Sequence, residues 1–312
     1  MSKYKKLDFN GVKTHSLADR SSKVGTGDFA KILNDQPSFQ EFISSLPQIL
    51  VAKDFTDFIG FYRKAVQSRS TILFMMGAHV IKVGLSPLLI DAMQRKWVSH
   101  LAMNGAGVIH DVEIALCGAT SEDVAQGLQN GSFGMVKEST HLINDAVKKG
   151  KGKYGYAEAV AASLEKEGAP YLELSLLYHA YRLQIPVTAH TAIGTEIIHQ
   201  HPDVDAQAIG DTSWSDFQIF THTVSTLNEK SIVLNAGSAV ILPEVFLKAL
   251  TVARNLGHPS FGFTTATFDM IRHYRPTVNV VERPTQGGGH GFYFIGHHEI
   301  MLPLLFTALK AL

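Results

Sequence analysis

The chain is short of cysteine, of any charge excess and of long hydrophobic runs. Cys117 is the single thiol among 312 residues. That excludes an intrachain disulfide framework and a cluster of thiolate metal ligands, and it fits a reducing compartment. Lys plus Arg number 28 and Asp plus Glu number 28. A dedicated nucleic-acid binder needs a basic excess to neutralise phosphates, so no nucleic-acid partner is expected. With 45% hydrophobic residues and 18% charged, the chain is too apolar and too evenly charged for a disordered polyelectrolyte. The most apolar short run, Ile72–Val83, is broken by His79 and Lys82 and is too short to span a bilayer. Residues 1–11 lack the apolar segment of a signal peptide. A soluble cytoplasmic protein is expected, with no membrane partner. Histidine, by contrast, is abundant, at 15 residues.

Residues 1–30 are polar and rich in Gly, Ser and Lys, as in an irregular arm. From Phe39 the apolar spacing becomes helical, through Phe42, Ile43 and Leu46, then Phe55, Phe58, Ile59 and Tyr62. Short apolar runs follow at Thr71–Gly77, Val98–Gly105, Ile185–Thr191, Ser231–Gly237, Phe261–Thr267 and Gly291–Gly296, with helical patterns between them. Strands alternating with helices predict βαβ units. The expected fold is therefore α/β, a parallel sheet with helices on both faces. Residues 1–70 would form an N-terminal arm and helices, and residues 71–312 a single domain.

Ligands of open parallel sheets bind beyond the carboxyl ends of the strands. Gly77, His79 and Gly84 follow the first run, and Asn104, Gly105 and Gly107 the second, with His110, Asp111 and Glu113 just after. His190 closes the third run, Asn235, Gly237 and Ser238 the fourth, Asp269 follows the fifth, and Gly296, His297 and His298 end the last. The glycines let backbone N–H groups approach an anion near helix starts, or they form tight turns. No complete G-x-G-x-x-G or P-loop is present. His79, His110, His190 and His297 are candidates for acid–base or hydrogen-bonding work. Asp111 could hold a ribose hydroxyl or offset a helix dipole.

The pair His199 and His201, followed by Asp203, Asp205 and Asp211, could hold a metal, though no third ligand stands at a diagnostic spacing. Trp214 is read as a core anchor, with a stacking platform as the alternative. The run Ser213–Asp216 is read as a helix start capped by Asp211 or Thr212. Cys117 is read as a small buried hydrophobe.

Several of these stretches, in order, resemble the deoxyhypusine synthase family. They are Gly77–Leu116, Gln184–Val187, Ile232–Gly237 (IVLNAG), Arg275-Pro276, and Phe292–Leu305 (FYFIGHHEIMLPLL). The resemblance spans residues 70–306 and implies a Rossmann-like NAD-binding sheet, a homotetramer and a small-molecule substrate. That family oxidises spermidine and passes its butylamine group through a catalytic lysine to a lysine of a translation factor.

The departures matter as much. Where the family carries Trp-Gly-Lys, this chain has Val281-Glu282-Arg283-Pro284. Arg283 stays protonated and forms no imine, so it cannot replace that lysine. Family acids are replaced by Ile109 and His110, with Asp111 retained, and Lys-His-His by Ile241-Leu242-Pro243. The resemblance thus implies retained NAD binding through Gly77, His79, Gly84, Asn104, Gly105, Gly107, Asn235, Gly237, Ser238, Gly296 and His298. It also implies a diverged oxidoreductase or transferase, with His110 or His297 and Asp111 as catalytic residues, acting on a neutral or anionic substrate. A non-catalytic NAD-binding or assembly protein and a metal-dependent hydrolase using His199, His201 and Asp211 are the alternatives.

Overall fold

The computed structural model describes residues 2–311. Residues 2–38 run as an irregular arm with two single 3-10 turns. Helices α1 (Phe39–Ser45) and α2 (Leu50–Ser68) follow. The chain then alternates: β1 (Ile72–Met76), α3 (His79–Lys82), α4 (Ser86–Gln94), β2 (His100–Asn104), α5 (Gly105–Cys117), α6 (Val124–Asn130), α7 (Lys137–Gly150), α8 (Tyr156–Glu167), α9 (Leu176–Arg182) and β3 (Val187–His190). The second half holds α10 (Ala206–Ser225), β4 (Ile232–Ala236), α11 (Ile241–Asn255), β5 (Thr264–Asp269), α12 (Tyr274–Pro276, leading into a π-helical turn), β6 (His290–Ile295) and α13 (His298–Ala311).

All six strands pair in parallel, in the order β3-β2-β1-β4-β5-β6. This is the doubly wound order of dinucleotide-binding sheets, and its direction reverses between β1 and β4. The six strands fall where the sequence expects them. Strand β5 is the most displaced, because Gly262 takes φ +76° and delays the strand to Thr264.

Side-chain alternation divides the core. Ile72, Phe74 and Met76 join a large cluster with α2, α4, α5 and α13. Leu73 and Met75 join Phe220, Val224, Leu242 and Phe246 of α10 and α11 on the other face. Helix α2 is amphipathic, with Phe55, Phe58, Ile59, Tyr62 and Ala65 buried. It seats Phe58 against Phe268, Phe292 and Phe294. The Tyr62 hydroxyl donates to the Trp97 carbonyl at 2.7 Å.

Three expectations need correction. The helix around Trp214 starts at Ala206, capped by Asp205, which accepts from the Ala208 N–H at 3.0 Å. Gly210 lies inside that helix and Asp211 does not cap it. Trp214 is 58% exposed and does not anchor the core. Cys117 is exposed, its thiol directed at the carbonyls of Glu113 and Ala119.

Candidate functional site

The carboxyl ends of β1 and β4 meet at the point where the sheet reverses. Gly77 and Gly237 touch backbone to backbone there, and a Cβ on Gly77 would lie 2.3 Å from the Gly237 carbonyl oxygen. Gly237 takes φ +69°, and a Cβ on it would lie 2.9 Å from the His298 ring. The glycines are therefore fixed by close approach as well as by turn geometry. His298 sits beneath them, 1% exposed. Its Nε2 donates to the Phe268 carbonyl at 3.2 Å, and its ring lies 5.6 Å from that of His79. Burial lowers the pKa of His298, so the ring is neutral and Nδ1 carries a lone pair. Ser238 caps the first turn of α11 by accepting from the Leu242 N–H at 3.1 Å.

Around this turn several buried polar atoms have no hydrogen-bond partner in the protein: His298 Nδ1, Asn235 Oδ1, Thr267 Oγ1 and Asp269 Oδ2, the last with His273 Nε2 3.8 Å away. Asn235 and Thr267 are register neighbours on β4 and β5. Asp269 ends β5, 4% exposed, with Oδ1 accepting from the Met270 N–H at 2.8 Å. Unpaired buried polar groups are costly, and their concentration at one strand-end turn is what a polar ligand would relieve.

Of the other residues singled out in the sequence, Gly296 and His297 adjoin this cluster in the chain before His298, and the rest do not join it. Asn104 caps α5, accepting from the Gly107 N–H at 3.1 Å. The Glu196 carboxylate packs on Gly105, where a Cβ would lie 2.5 Å from its Oε1. A carboxylate thus already occupies the start of α5, where the glycine turn offered room for a phosphate. Gly84 lies beyond α3 with open space beside it. Gly296 donates its N–H to the Asp269 carbonyl and packs on Met301.

Asp111 is committed to the fold. It accepts from the Ser175 hydroxyl at 2.6 Å and from the N–H groups of Leu176 and Leu177 at 2.7 and 3.1 Å, pinning the start of α9. Burial pushes its pKa up to about 6 against those three donors. His110 lies on α5 with Thr120, 2.6 Å from Nδ1, and Glu113. His297 is exposed at the start of α13, 3.8 Å from Glu299. The proposed catalytic trio is therefore dispersed over three places.

The metal reading also fails geometrically. Among the described residues no three His, Cys, Asp or Glu side chains gather as a metal site. His199 Nδ1 accepts from the Gly194 N–H, and Asp211 accepts from the Gly152 N–H at 2.7 Å.

The β1–β4 turn and the β2 turn differ in what stands beside their glycines. Gly77, His79, Gly237, Ser238, His298 and Asp269 surround a glycine cradle with unpaired polar atoms, whereas Glu196 takes the α5 position. Asp269 stood at a strand end in the sequence. Only its unpaired Oδ2 separates it from the ordinary polar residues found there.

No protein-family model and no curated protein matches the sequence. Comparison with solved structures does find relatives in shape. One is a provisionally assigned deoxyhypusine synthase from Entamoeba histolytica, 9% identical, covering 89% of this chain and 94% of that one, with a TM-score of 0.53. The chain has a deoxyhypusine synthase-like fold. AgrE, solved with ornithine and NAD+, is 13% identical over 83% of this chain, with a TM-score of 0.53. A provisionally assigned LOR/SDH protein from Methanococcus maripaludis S2 is 16% identical, covering 89% of this chain and 71% of that one, with a TM-score of 0.50. This chain spans 33% of the length of AgrE. At these identities the likeness establishes the fold alone. No helix among the described residues is long and apolar enough to cross a membrane.

Proposed function

We propose that this chain binds NAD at the β1–β4 turn and carries out a dehydrogenation or dehydrogenative transfer on a small neutral or anionic molecule, not deoxyhypusine synthesis. The observation that carries this reading is the group of unpaired buried atoms, His298 Nδ1, Asn235 Oδ1, Thr267 Oγ1 and Asp269 Oδ2, beside the Gly77–Gly237 contact. Its fold is shared with AgrE, which was solved with NAD+.

Gly77, His79, Gly237, Ser238, His298 and Asp269 would hold the dinucleotide. Neutral His298 offers an acceptor at Nδ1, and Asp269 offers one at Oδ2. When bound, the nicotinamide supplies hydride acceptance. Of the proposed acid–base histidines, His297 adjoins this turn and is exposed, whereas His110 lies on α5 with Thr120 and Glu113. Arg283 donates to Asn279 at 3.0 Å and has no capacity for imine chemistry. A homo-oligomer belongs to the same reading. Leu7, Phe9, Leu17 and Ile32 of the arm are exposed, and a second copy would cover such a surface.

Calorimetric titration with NAD tests the proposal. Binding with a micromolar Kd is expected, weakened at least tenfold in Asp269→Ala. Absence of both heat and thermal shift at millimolar NAD would overturn it. Retained NAD binding with no turnover of polyols, amines or hydroxy acids would favour a non-catalytic NAD-binding protein instead.

A further inference from the structure

A second cleft lies beside the dinucleotide turn, where α10 and α11 part over the end of β3. Its volume is about 440 Å³, within the range of small-molecule sites. Trp214, Phe217, Ile193, Ile241 and Val245 form apolar walls. The Trp214 and Phe217 rings lie 5.5 Å apart at 33°, and Trp214, 58% exposed, lines a cleft it could share with a ring. The charged lining residue, Glu244, is already paired with Lys248, Arg275 and Asn279. The cleft therefore offers apolar area and no free charge.

The floor of this cleft is His190. Its Nε2 lies 3.1 Å from Thr188 Oγ1, which lies 3.0 Å from His100 Nε2, and His100 Nδ1 lies 2.7 Å from Thr223 Oγ1. His100, Thr188 and His190 are all on the α10 face of the sheet, two residues apart along β3 or paired across β2 through the register of Ala102 with Thr188. Burial pushes the pKa of both histidines down to about 3, so each ring carries one proton. His190 Nδ1 has no protein partner and is not among the fully buried unpaired atoms, which leaves it to the cleft.

Two proton arrangements satisfy all three contacts while keeping the Thr188 proton bonded. In one, Thr223 donates to His100, His100 to Thr188 and Thr188 to His190, so His190 presents Nδ1–H to the cleft. In the other, every donor becomes an acceptor and His190 presents a lone pair. Each ring keeps one proton in both, and the hydroxyls rotate, so no buried charge is created.

We propose that the α10–α11 cleft binds a small uncharged ring-bearing molecule with one hydrogen-bonding group, and that His190 meets that group as donor or acceptor through a reversible hydrogen-bond chain reaching His100 and Thr223. His190 touches the ligand; Thr188, His100 and Thr223 are positioning residues. This goes beyond the dinucleotide reading and does not depend on it.

The test uses the full chain with 15N-labelled histidine and no nucleotide. Long-range 15N–1H correlations report the tautomers of His190 and His100. Indole, a donor, is expected to drive His190 to Nε2–H and His100 to Nδ1–H together. Acetophenone, an acceptor, is expected to drive both to the opposite tautomers. Indene, which lacks the N–H, is expected to bind about fivefold more weakly than indole. Thr188→Val should leave His190 responsive to indole while His100 no longer follows, and Trp214→Ala should weaken binding of both rings. The proposal is overturned if neither probe perturbs His190, if His190 responds while His100 stays fixed in the unmodified chain, or if Trp214→Ala leaves indole affinity unchanged. NAD binding is measured separately, so failure of one reading leaves the other standing.

Discussion

Two groups of buried polar side chains on one sheet face are built on opposite terms. In the chain Thr223–His100–Thr188–His190 each side chain bonds to the next. At the ends of β4 and β5, Asn235 Oδ1, Thr267 Oγ1 and Asp269 Oδ2 make no hydrogen bond within the protein, although His273 Nε2 lies 3.8 Å from Asp269 Oδ2. Both groups are buried, so desolvation acts on both alike. The difference lies in who supplies the partner. The first group is satisfied within the fold except at His190 Nδ1, which the cleft leaves open; the second has no partners in the fold, and its cost is borne by the rest of the core.

The sharpest way to break this comparison is to remove the glycine contact that shapes the open end. Gly77→Val would place a branched side chain against the Gly237 backbone, where even a Cβ would come within 2.3 Å. Backbone on both sides leaves no flexible group to yield, so a loss of more than about 3 kcal/mol is expected. Urea unfolding checks it. A loss under about 1 kcal/mol would mean that the two turns are not in contact.

The acid limb of stability addresses the bonded chain. His100 and His190 both have folded pKa values lowered from 6.5 to about 3 by burial. The unfolded chain binds protons there that the folded chain refuses, so stability is full above pH 6.5 and falls as pH drops toward 3. Each histidine should cost about 2 kcal/mol at pH 5. His190→Phe should remove about one proton from the slope of unfolding free energy against pH in this window. An unchanged slope would show that His190 is protonated or exposed in the native state.

The sequence marked the places better than it marked the roles. Short apolar runs ending in Gly, Asn or Thr located all six strands, because buried parallel strands leave a continuous apolar signature. The helix carrying Trp214 was misread at its start because Gly210 and Asp211 look like a boundary. Local turn chemistry there is overridden by the Asp205 cap and by packing of Ile209 and Phe220. The rule that ligands sit beyond strand ends led to Gly77, Gly237 and His298. It could not separate Asp111, which three donors pull to the start of α9, from Asp269, which keeps an oxygen unpaired. Both are acids near strand ends, and only tertiary contacts distinguish them. The link from His100 to His190 was likewise invisible, since 90 positions of sequence separate residues that the strand pairing brings within reach of Thr188.

The smallest effects test the comparison most directly, because one chemical change can be made in both groups. Thr188→Val and Thr267→Val each delete a buried hydroxyl from the same face of one sheet. At Thr188 the deletion leaves two histidine nitrogens without a partner, and a cost of about 2 kcal/mol is expected. At Thr267 the hydroxyl bonds to nothing in the protein, so its replacement by a methyl group should cost under about 0.5 kcal/mol or stabilise slightly. Chemical denaturation of the two variants side by side gives the contrast. Added NAD should reverse the order of what is lost: Thr267→Val should weaken NAD binding while Thr188→Val should not. Equal stability costs at the two positions would mean that the hydroxyls are equally well satisfied, and the strand-end group would then lose its distinction from the bonded chain.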